Sequence, residues 1–128
     1  MKLQLKEYRV VRMEINPNEL QSGNDNLDLK IGQIYLNDTD YIFGIGFKVD
    51  MNNEEFSLNM EMRFFFETDE PITENFKNST FPIVNAPAIA FPYVRSFIST
   101  ITLQAGYNAV MLPSINFVEF AKRSGPEN

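Results

Sequence analysis

Two segments in the middle of the chain alternate apolar and polar residues, and this alternation constrains the fold more than any other feature. In the first segment the apolar residues occupy odd positions: Tyr41, Phe43, Ile45, Phe47, Val49 and Met51. In the second they occupy even positions: Phe56, Leu58, Met60, Met62, Phe64 and Phe66. A period of two is typical of a β-strand that buries one face. The polar residues 52–55 predict a turn, so we expect an antiparallel hairpin.

Two further segments near the start of the chain have strand character, but their alternation is interrupted. Within residues 2–15 the apolar positions change phase, which indicates β-bulges or burial on both faces. Residues 16–26 are polar and rich in turn-forming types, and they predict a crossover loop. The strand over residues 27–36 loses its phase at Gly32, which predicts a bulge there. Together with the hairpin, these segments predict a sheet of four strands.

The last part of the chain predicts two helices. Its prolines argue against a long helix over residues 71–87 and favour a structured connection. Beyond Pro92, apolar residues recur at helical spacing and Gly106 is placed to end the helix, which predicts a helix over residues 92–104. Asn116 and Glu119 resemble a capping box and predict a short helix that ends before residues 124–126.

The residue types exclude the main catalytic toolkits. Histidine and cysteine are absent, so Ser-His-Asp triads, Cys-His pairs, common zinc sites and disulfide bonds cannot form. Gly44 and Gly46 lie inside a predicted strand, which favours close packing over a nucleotide site. We therefore expect no enzymatic activity, no catalytic residue, no metal and no cofactor.

Charge and hydropathy limit the partners. The formal charge of −6 disfavours nucleic acids and anionic membrane surfaces. No apolar run is long enough to span a bilayer, and the first residues lack the apolar segment of a signal peptide. We expect a single domain over residues 1–128, located in the cytoplasm, with no nucleic-acid partner and no membrane insertion.

Large apolar side chains are abundant, with twelve Phe, five Tyr and six Met. Much of this set belongs to the core, but Phe65 lies on the polar side of its strand. Further residues of this kind occur around the connecting segments: Phe76, Phe81, Phe91, Tyr93, Tyr107 and Met111. A monomer would not cover all of them. We expect a homo-oligomer, a groove for apolar segments of other proteins, or both.

One stretch carries a resemblance to a known family. Residues 85–99 read Asn-Ala-Pro-Ala-Ile-Ala-Phe-Pro-Tyr-Val-Arg-Ser-Phe-Ile-Ser. This resembles the signature segment of the SecB export-chaperone family, in which an Asn and a short apolar run precede Phe-Pro-Tyr-x-Arg at the first long helix. Residues 105–107 and 111–117 resemble that family's glycine-containing helix end and its Pro-x-x-Asn-Phe entry into the second helix. The upstream strands agree at the level of pattern.

The resemblance implies an α+β fold, with a four-stranded antiparallel sheet and one long and one short C-terminal helix packed on one side. It also implies a dimer or dimer of dimers that binds unfolded polypeptides or preproteins without ATP. In that family, hydrophobic grooves between the crossover loop, strands and helices hold the client. The matching candidate client-binding residues are Phe91, Tyr93, Phe97, Met111, Leu112 and Phe117. Each of them could instead pack in the core or in a subunit interface.

Two departures from the family pattern modify this expectation. The second helix ends soon after Phe120 without a tail that contains cysteine and histidine, which makes docking on the translocation motor doubtful. The crossover loop is shorter and more polar than is usual, which predicts a reduced client groove. The sequence thus favours a holdase, with an adaptor or chaperone dedicated to a single partner, such as an antitoxin, as the alternative. Arg95 lies among apolar neighbours and is expected to need a partner.

Overall fold

The computed structural model describes residues 1–18, 25–36 and 40–123. The described residues form one antiparallel sheet whose strands are β1 (Leu3–Pro17), β2 (Asn26–Tyr35), β3 (Ile42–Asn52) and β4 (Phe56–Thr68). They also form the helices α1 (Glu74–Lys77), α2 (Ala86–Gln104) and α3 (Phe117–Arg123), with a π-helical turn over Phe81–Asn85 that leads into α2. The strand order is β1-β4-β3-β2, so the hairpin is central and β1 and β2 are the edges.

The central hairpin has the turn and the faces that the alternation predicts. The side chain of Asn53 accepts hydrogen bonds from the backbone N–H groups of Glu55 and Phe56, each at 2.9 Å. The odd residues over 43–49 and the even residues over 56–66 are buried. Because a shift of one residue would move every apolar side chain to solvent, this alternation fixes the strand register.

The two edge strands differ in regularity. β1 pairs with β4 through two register shifts, which lie before Glu7 and before Arg12, and these confirm the predicted bulges. The prediction of a bulge in β2 is wrong, because β2 pairs with β3 without a register shift and Gly32 lies opposite Gly46. The phase change arises because Ile34 is an apolar residue on the sheet face away from the helices, next to Gly44.

The long helix α2 begins at Ala86 and not at the predicted Pro92. Pro87 stands in the first turn, where a missing N–H needs no partner, and Pro92 is exposed. The prolines therefore did not mark the start of the helix. The predicted end is confirmed, because Gly106 follows with a φ of 100°, in the left-handed region that favours glycine.

The short helix α3 begins as predicted. The side-chain oxygen of Asn116 accepts hydrogen bonds from the N–H groups of Val118, at 3.0 Å, and of Glu119, at 3.2 Å. Such a cap satisfies N–H groups that have no partner inside the helix. Most of the predicted crossover loop, residues 19–24, and the predicted stop over residues 124–126 lie outside the described residues.

The core lies between the sheet and α2. The buried residues of α2 share one side of the helix: Ala86, Pro87, Ala90, Phe91, Val94, Ile98 and Thr102. Five of them belong to the same cluster as the inward residues of β3 and β4: Ala86, Ala90, Phe91, Val94 and Ile98. Phe117 of α3 joins this cluster. This confirms the predicted α+β fold with a long and a short helix on one side of the sheet. In the described part of the chain, no helix has the length and apolarity to cross a membrane.

Candidate functional site

Residues 107–116, here called the return segment, connect α2 to α3 and run back along α2. The N–H of Val110 donates to the hydroxyl oxygen of Thr102 at 3.1 Å. Further along, Nε of Arg95 donates to the carbonyl oxygen of Leu112 at 3.1 Å. The contacts advance along the segment while they move back along α2, so the two pieces are antiparallel. Arg95 therefore has a hydrogen-bond partner, as its position among apolar residues predicts.

A shallow groove of about 310 Å³ lies between α2 and the return segment. It is lined by Pro92, Arg95, Ser96, Ser99, Thr100, Met111 and Leu112. Met111 is 75% exposed, more than any other large apolar side chain of the described residues. Its sulfur lies 3.8 Å from the hydroxyl oxygen of Ser99. A flexible thioether at the rim of a groove can adapt to apolar side chains of different shape.

Three of the predicted client-binding residues are buried in the chain itself. The exposed fraction is 4% for Phe91, 4% for Leu112 and 6% for Phe117. The rings of Phe91 and Phe117 belong to a series that starts at Phe47 in the sheet and ends at the half-buried Phe120, with centroid distances of 6.2, 5.5 and 6.0 Å. Tyr107, Val110 and Ile115 of the return segment pack against the core cluster that contains Phe47, Phe91 and Phe117.

Tyr93 and Phe97 lie on another side of α2. The ring of Tyr93 is 41% exposed and lies 5.0 Å from the ring of Tyr8 on β1, which stacks on Phe64 at 5.2 Å. We call Tyr8, Phe64 and Tyr93 the aromatic edge. Tyr93 and Arg95 are separated by about 200° around the helix, so the aromatic edge and the groove emerge on opposite sides of α2. The predicted residues therefore do not form one continuous site.

The apolar surface of β1 was absent from the candidate residues. Tyr8, Val11 and Met13 have exposed fractions of 46%, 42% and 38%. β1 is an edge strand of 15 residues, and a long apolar edge is a common place for another strand to pair. The sequence feature that could have identified this surface is the change of phase of the apolar positions within residues 2–15.

Two titratable groups of the described residues have shifted pKa values, Tyr35 on β2 and Asp69 after β4. Burial, followed by the charge of Glu74, raises the pKa of Tyr35, and the Lys77 ammonium lies 4.7 Å from its ring centre. The backbone N–H of Lys2, 2.8 Å from a carboxylate oxygen of Asp69, lowers the pKa of that exposed group. Within residues 1–18, 25–36 and 40–123, no group of three or more acidic, His or Cys residues could hold a metal ion.

Replacing Arg95 with alanine is expected to lower the free energy of unfolding by about 1–2 kcal/mol, because the Leu112 carbonyl loses a charged donor. Urea denaturation measures this change, and hydrogen exchange should show faster exchange in the return segment. Ser96→Ala, on the exposed neighbour, is the control and should change neither quantity. Unchanged stability and unchanged exchange in Arg95→Ala would contradict the structural role of this contact.

The sheet, the long helix, the return segment and the short helix together define the fold of SecB-like chaperones. A SecB-like chaperone of Mycobacterium tuberculosis, solved with a ChAD peptide from the HigA1 antitoxin, matches with a TM-score of 0.69. That match covers 88% of this chain and 87% of that chain at 13% identity. A protein of unknown function from Streptococcus agalactiae matches with a TM-score of 0.56 and 13% identity, over 89% of this chain and 98% of that chain.

The chain belongs to the SecB family, because the family profile described as preprotein translocase subunit SecB matches residues 19–125. The protein-export protein SecB of Anaplasma phagocytophilum is 36% identical over 66 residues, which are 51% of this chain and 40% of that protein. An uncharacterized protein of Methanocaldococcus jannaschii is 41% identical over 71 residues, which are 56% of this chain and 44% of that protein. The matches thus span less than half the length of these relatives.

Proposed function

We propose that this protein is an ATP-independent holdase that binds extended apolar segments of unfolded polypeptides, including preproteins, in the groove beside the return segment. The observation that carries the proposal is the exposure of Met111 at the rim of this groove. An apolar client would remove this side chain from water, which stabilises a complex by about 25 cal/mol per Å² of apolar area. Binding of this kind requires no chemical step.

The family supports the proposal. A SecB-like chaperone with the same fold was solved in complex with a peptide, so the fold accommodates a polypeptide ligand. We assign direct client contact to Met111. Leu112, Phe91 and Phe117 are buried in the core cluster, and a client reaches them when the return segment moves away from α2. The hydrogen bond between Arg95 and the Leu112 carbonyl would restrain that movement.

Tyr93 and Phe97 are assigned to a subunit interface in this proposal. Tyr93 contacts Tyr8 of β1, where exposed apolar side chains continue along the edge strand, and Phe97 lies four residues later on the same side of α2. The protein would then be a homo-oligomer, a dimer or a dimer of dimers, with the groove left open on the other side of α2. We do not propose docking on the translocation motor. The single domain and the cytoplasmic location remain predictions from the sequence.

The test is suppression of aggregation of several chemically denatured proteins, without nucleotide, by a several-fold excess of this protein. Met111→Asp is expected to weaken client binding about tenfold, because a carboxylate must be desolvated before an apolar segment can dock. Met111→Ser should also weaken binding, since it removes the apolar surface without adding charge. Leu112 is unsuited to this test because its side chain is buried.

Ser114→Asp is the control for net charge. It places the same charge on an exposed polar position of the return segment and should leave binding unchanged. If the wild-type protein alters neither aggregation nor refolding of any client, the holdase proposal is wrong.

A chaperone or adaptor dedicated to a single partner is the second candidate. The specific observation in its favour is that the peptide in the Mycobacterium tuberculosis complex comes from one antitoxin. Affinity purification from the protein's own cytosol, followed by mass spectrometry, separates the two candidates. Many co-purified proteins support the holdase, and one dominant protein supports the dedicated partner.

A further inference from the structure

The sheet face away from the helices carries a depression of about 420 Å³. Its floor is formed by Gly32 and Gly46, which lie directly opposite each other on β2 and β3. The residues around it are Lys30, Ile31, Gln33, Ile34, Lys48, Glu61 and Arg63. The depression therefore lies on the other side of the sheet from the groove beside the return segment.

Internal packing does not require the glycines of this floor. A Cβ atom on Gly44 would lie 2.8 Å from the ring of Phe65, so the predicted close packing is confirmed at that position. A Cβ atom on Gly46 would make ordinary contact at 3.7 Å, and one on Gly32 would meet no atom within 4 Å. Glycine weakens a strand, and it often marks a place where a ligand or another backbone comes close. The open backbone at Gly32 is thus a candidate contact surface.

One wall of the depression is cationic. Lys30 and Lys48 lie directly opposite each other across β2 and β3, and like charges in that arrangement destabilise a sheet. Glu61 lies directly opposite Lys48 on β4, but its carboxylate pairs with Arg63 at 3.1 Å. Within the described residues, neither lysine forms an ion pair. This local positive charge occurs in a protein whose formal charge is −6. Residues that destabilise the local structure, as these two lysines do, are expected at functional sites.

The other wall is apolar. Ile34 lines this wall, and the ring of Phe65 lies just beyond it, where both side chains flank Gly44. Ile34 and Lys30 are four residues apart on β2, which corresponds to about 13 Å along a strand. Residues four apart in an extended peptide point to the same side and span the same distance. The depression therefore presents an apolar and a cationic contact at the spacing of an extended chain.

We propose that this depression binds an extended peptide segment with an acidic and an apolar side chain four residues apart. The acidic side chain contacts Lys30 and Lys48, the apolar side chain contacts Ile34 and Phe65, and the peptide backbone crosses the floor at Gly32. Charge complementarity selects this occupant, because an acidic segment relieves the repulsion between the two lysines. This site is independent of the proposed holdase groove, which recognises apolar surface on the opposite face.

The probe is a fluorescein-labelled threonine-based peptide of about nine residues, with Glu placed four residues before Phe. Fluorescence anisotropy with the full-length protein measures its binding. Lys30→Glu is expected to weaken binding at least about tenfold while stability is kept or raised, because the new carboxylate faces Lys48. Lys122→Glu, the same charge change on an exposed residue of α3, is the control and should bind like the wild type.

Gly32→Val tests whether the probe backbone lies against Gly32 or whether charge attraction alone holds the probe. Valine has space at this position and favours strands, so the melting temperature should be unchanged or raised while binding weakens about tenfold. Met111→Asp should bind the probe like the wild type, since it changes the opposite face. The proposal is overturned if Gly32→Val binds normally or if a probe with Lys in place of Glu binds equally well. Stronger competition by a single-stranded oligonucleotide than by unlabelled probe would also overturn it.

Discussion

Replacing Phe64 with alanine is expected to lower the free energy of unfolding by about 3–5 kcal/mol. The side chain has 0% exposure and lies at the centre of the aromatic contacts beneath α2. Its ring centroid is 5.2 Å from that of Tyr8, 5.6 Å from that of Phe47 and 6.3 Å from that of Tyr93. Removal of the ring leaves a cavity and also loosens the aromatic edge. The melting temperature should fall by roughly 10–20 °C.

Phe65→Ala is the matched control for this prediction. Phe65 is the next residue of β4, has the same side chain and is only half-buried on the opposite face of the sheet. Its replacement should lower the free energy of unfolding by about 1 kcal/mol. Both variants are compared by urea denaturation at one protein concentration, because association changes apparent stability. Equal losses of the free energy of unfolding in the two variants would contradict a core that lies on only one face of the sheet.

The central hairpin could be predicted from the sequence because its information is local. Each inward residue over 43–49 and 56–66 is apolar, so the faces, the turn and the register follow from one alternation. The phase change at Gly32 predicts a bulge that β2 does not have, because the sequence of one strand cannot reveal that its outward face also carries an apolar residue. Ile34 needs Gly44 and Phe65 as neighbours, and both come from other strands.

The start of α2 could not be predicted because proline is ambiguous. A proline in the first turn is compatible with a helix, whereas a proline further inside commonly disrupts it. Pro87 and Pro92 occupy these two kinds of position in the same helix. The end of α2 was predictable, because Gly106 adopts a backbone conformation that few other residues tolerate.

The motifs predicted the family and the segment that forms the groove, but not the exposure of single residues. Phe91 and Phe117 are distant in sequence, and they bury each other because the return segment runs antiparallel to α2. Met111 stays exposed although its neighbour Leu112 is buried. This information is tertiary, and no pattern within one element contains it.

Replacing both Val11 and Met13 with lysine is expected to convert the proposed oligomer into a monomer of 14.8 kDa. Both side chains are exposed on the edge strand β1, and lysine on an edge strand opposes pairing with a second chain. The fold should be kept, because Val11 lies at a bulge and Met13 is only partly covered. Light scattering coupled to size-exclusion chromatography measures the mass, and circular dichroism checks the fold.

Leu27→Lys is the control, because it places the same side chain at a comparably exposed apolar position on the other edge strand, β2. It should leave the oligomer intact if β1 and the aromatic edge form the interface. Dissociation by Leu27→Lys, with an intact oligomer in the β1 variant, would move the interface to β2. A wild-type mass of 14.8 kDa at micromolar concentration would instead exclude a stable oligomer. The apolar surface of β1 would then be open to clients, and Tyr93 and Phe97 would return to the candidate client-binding residues.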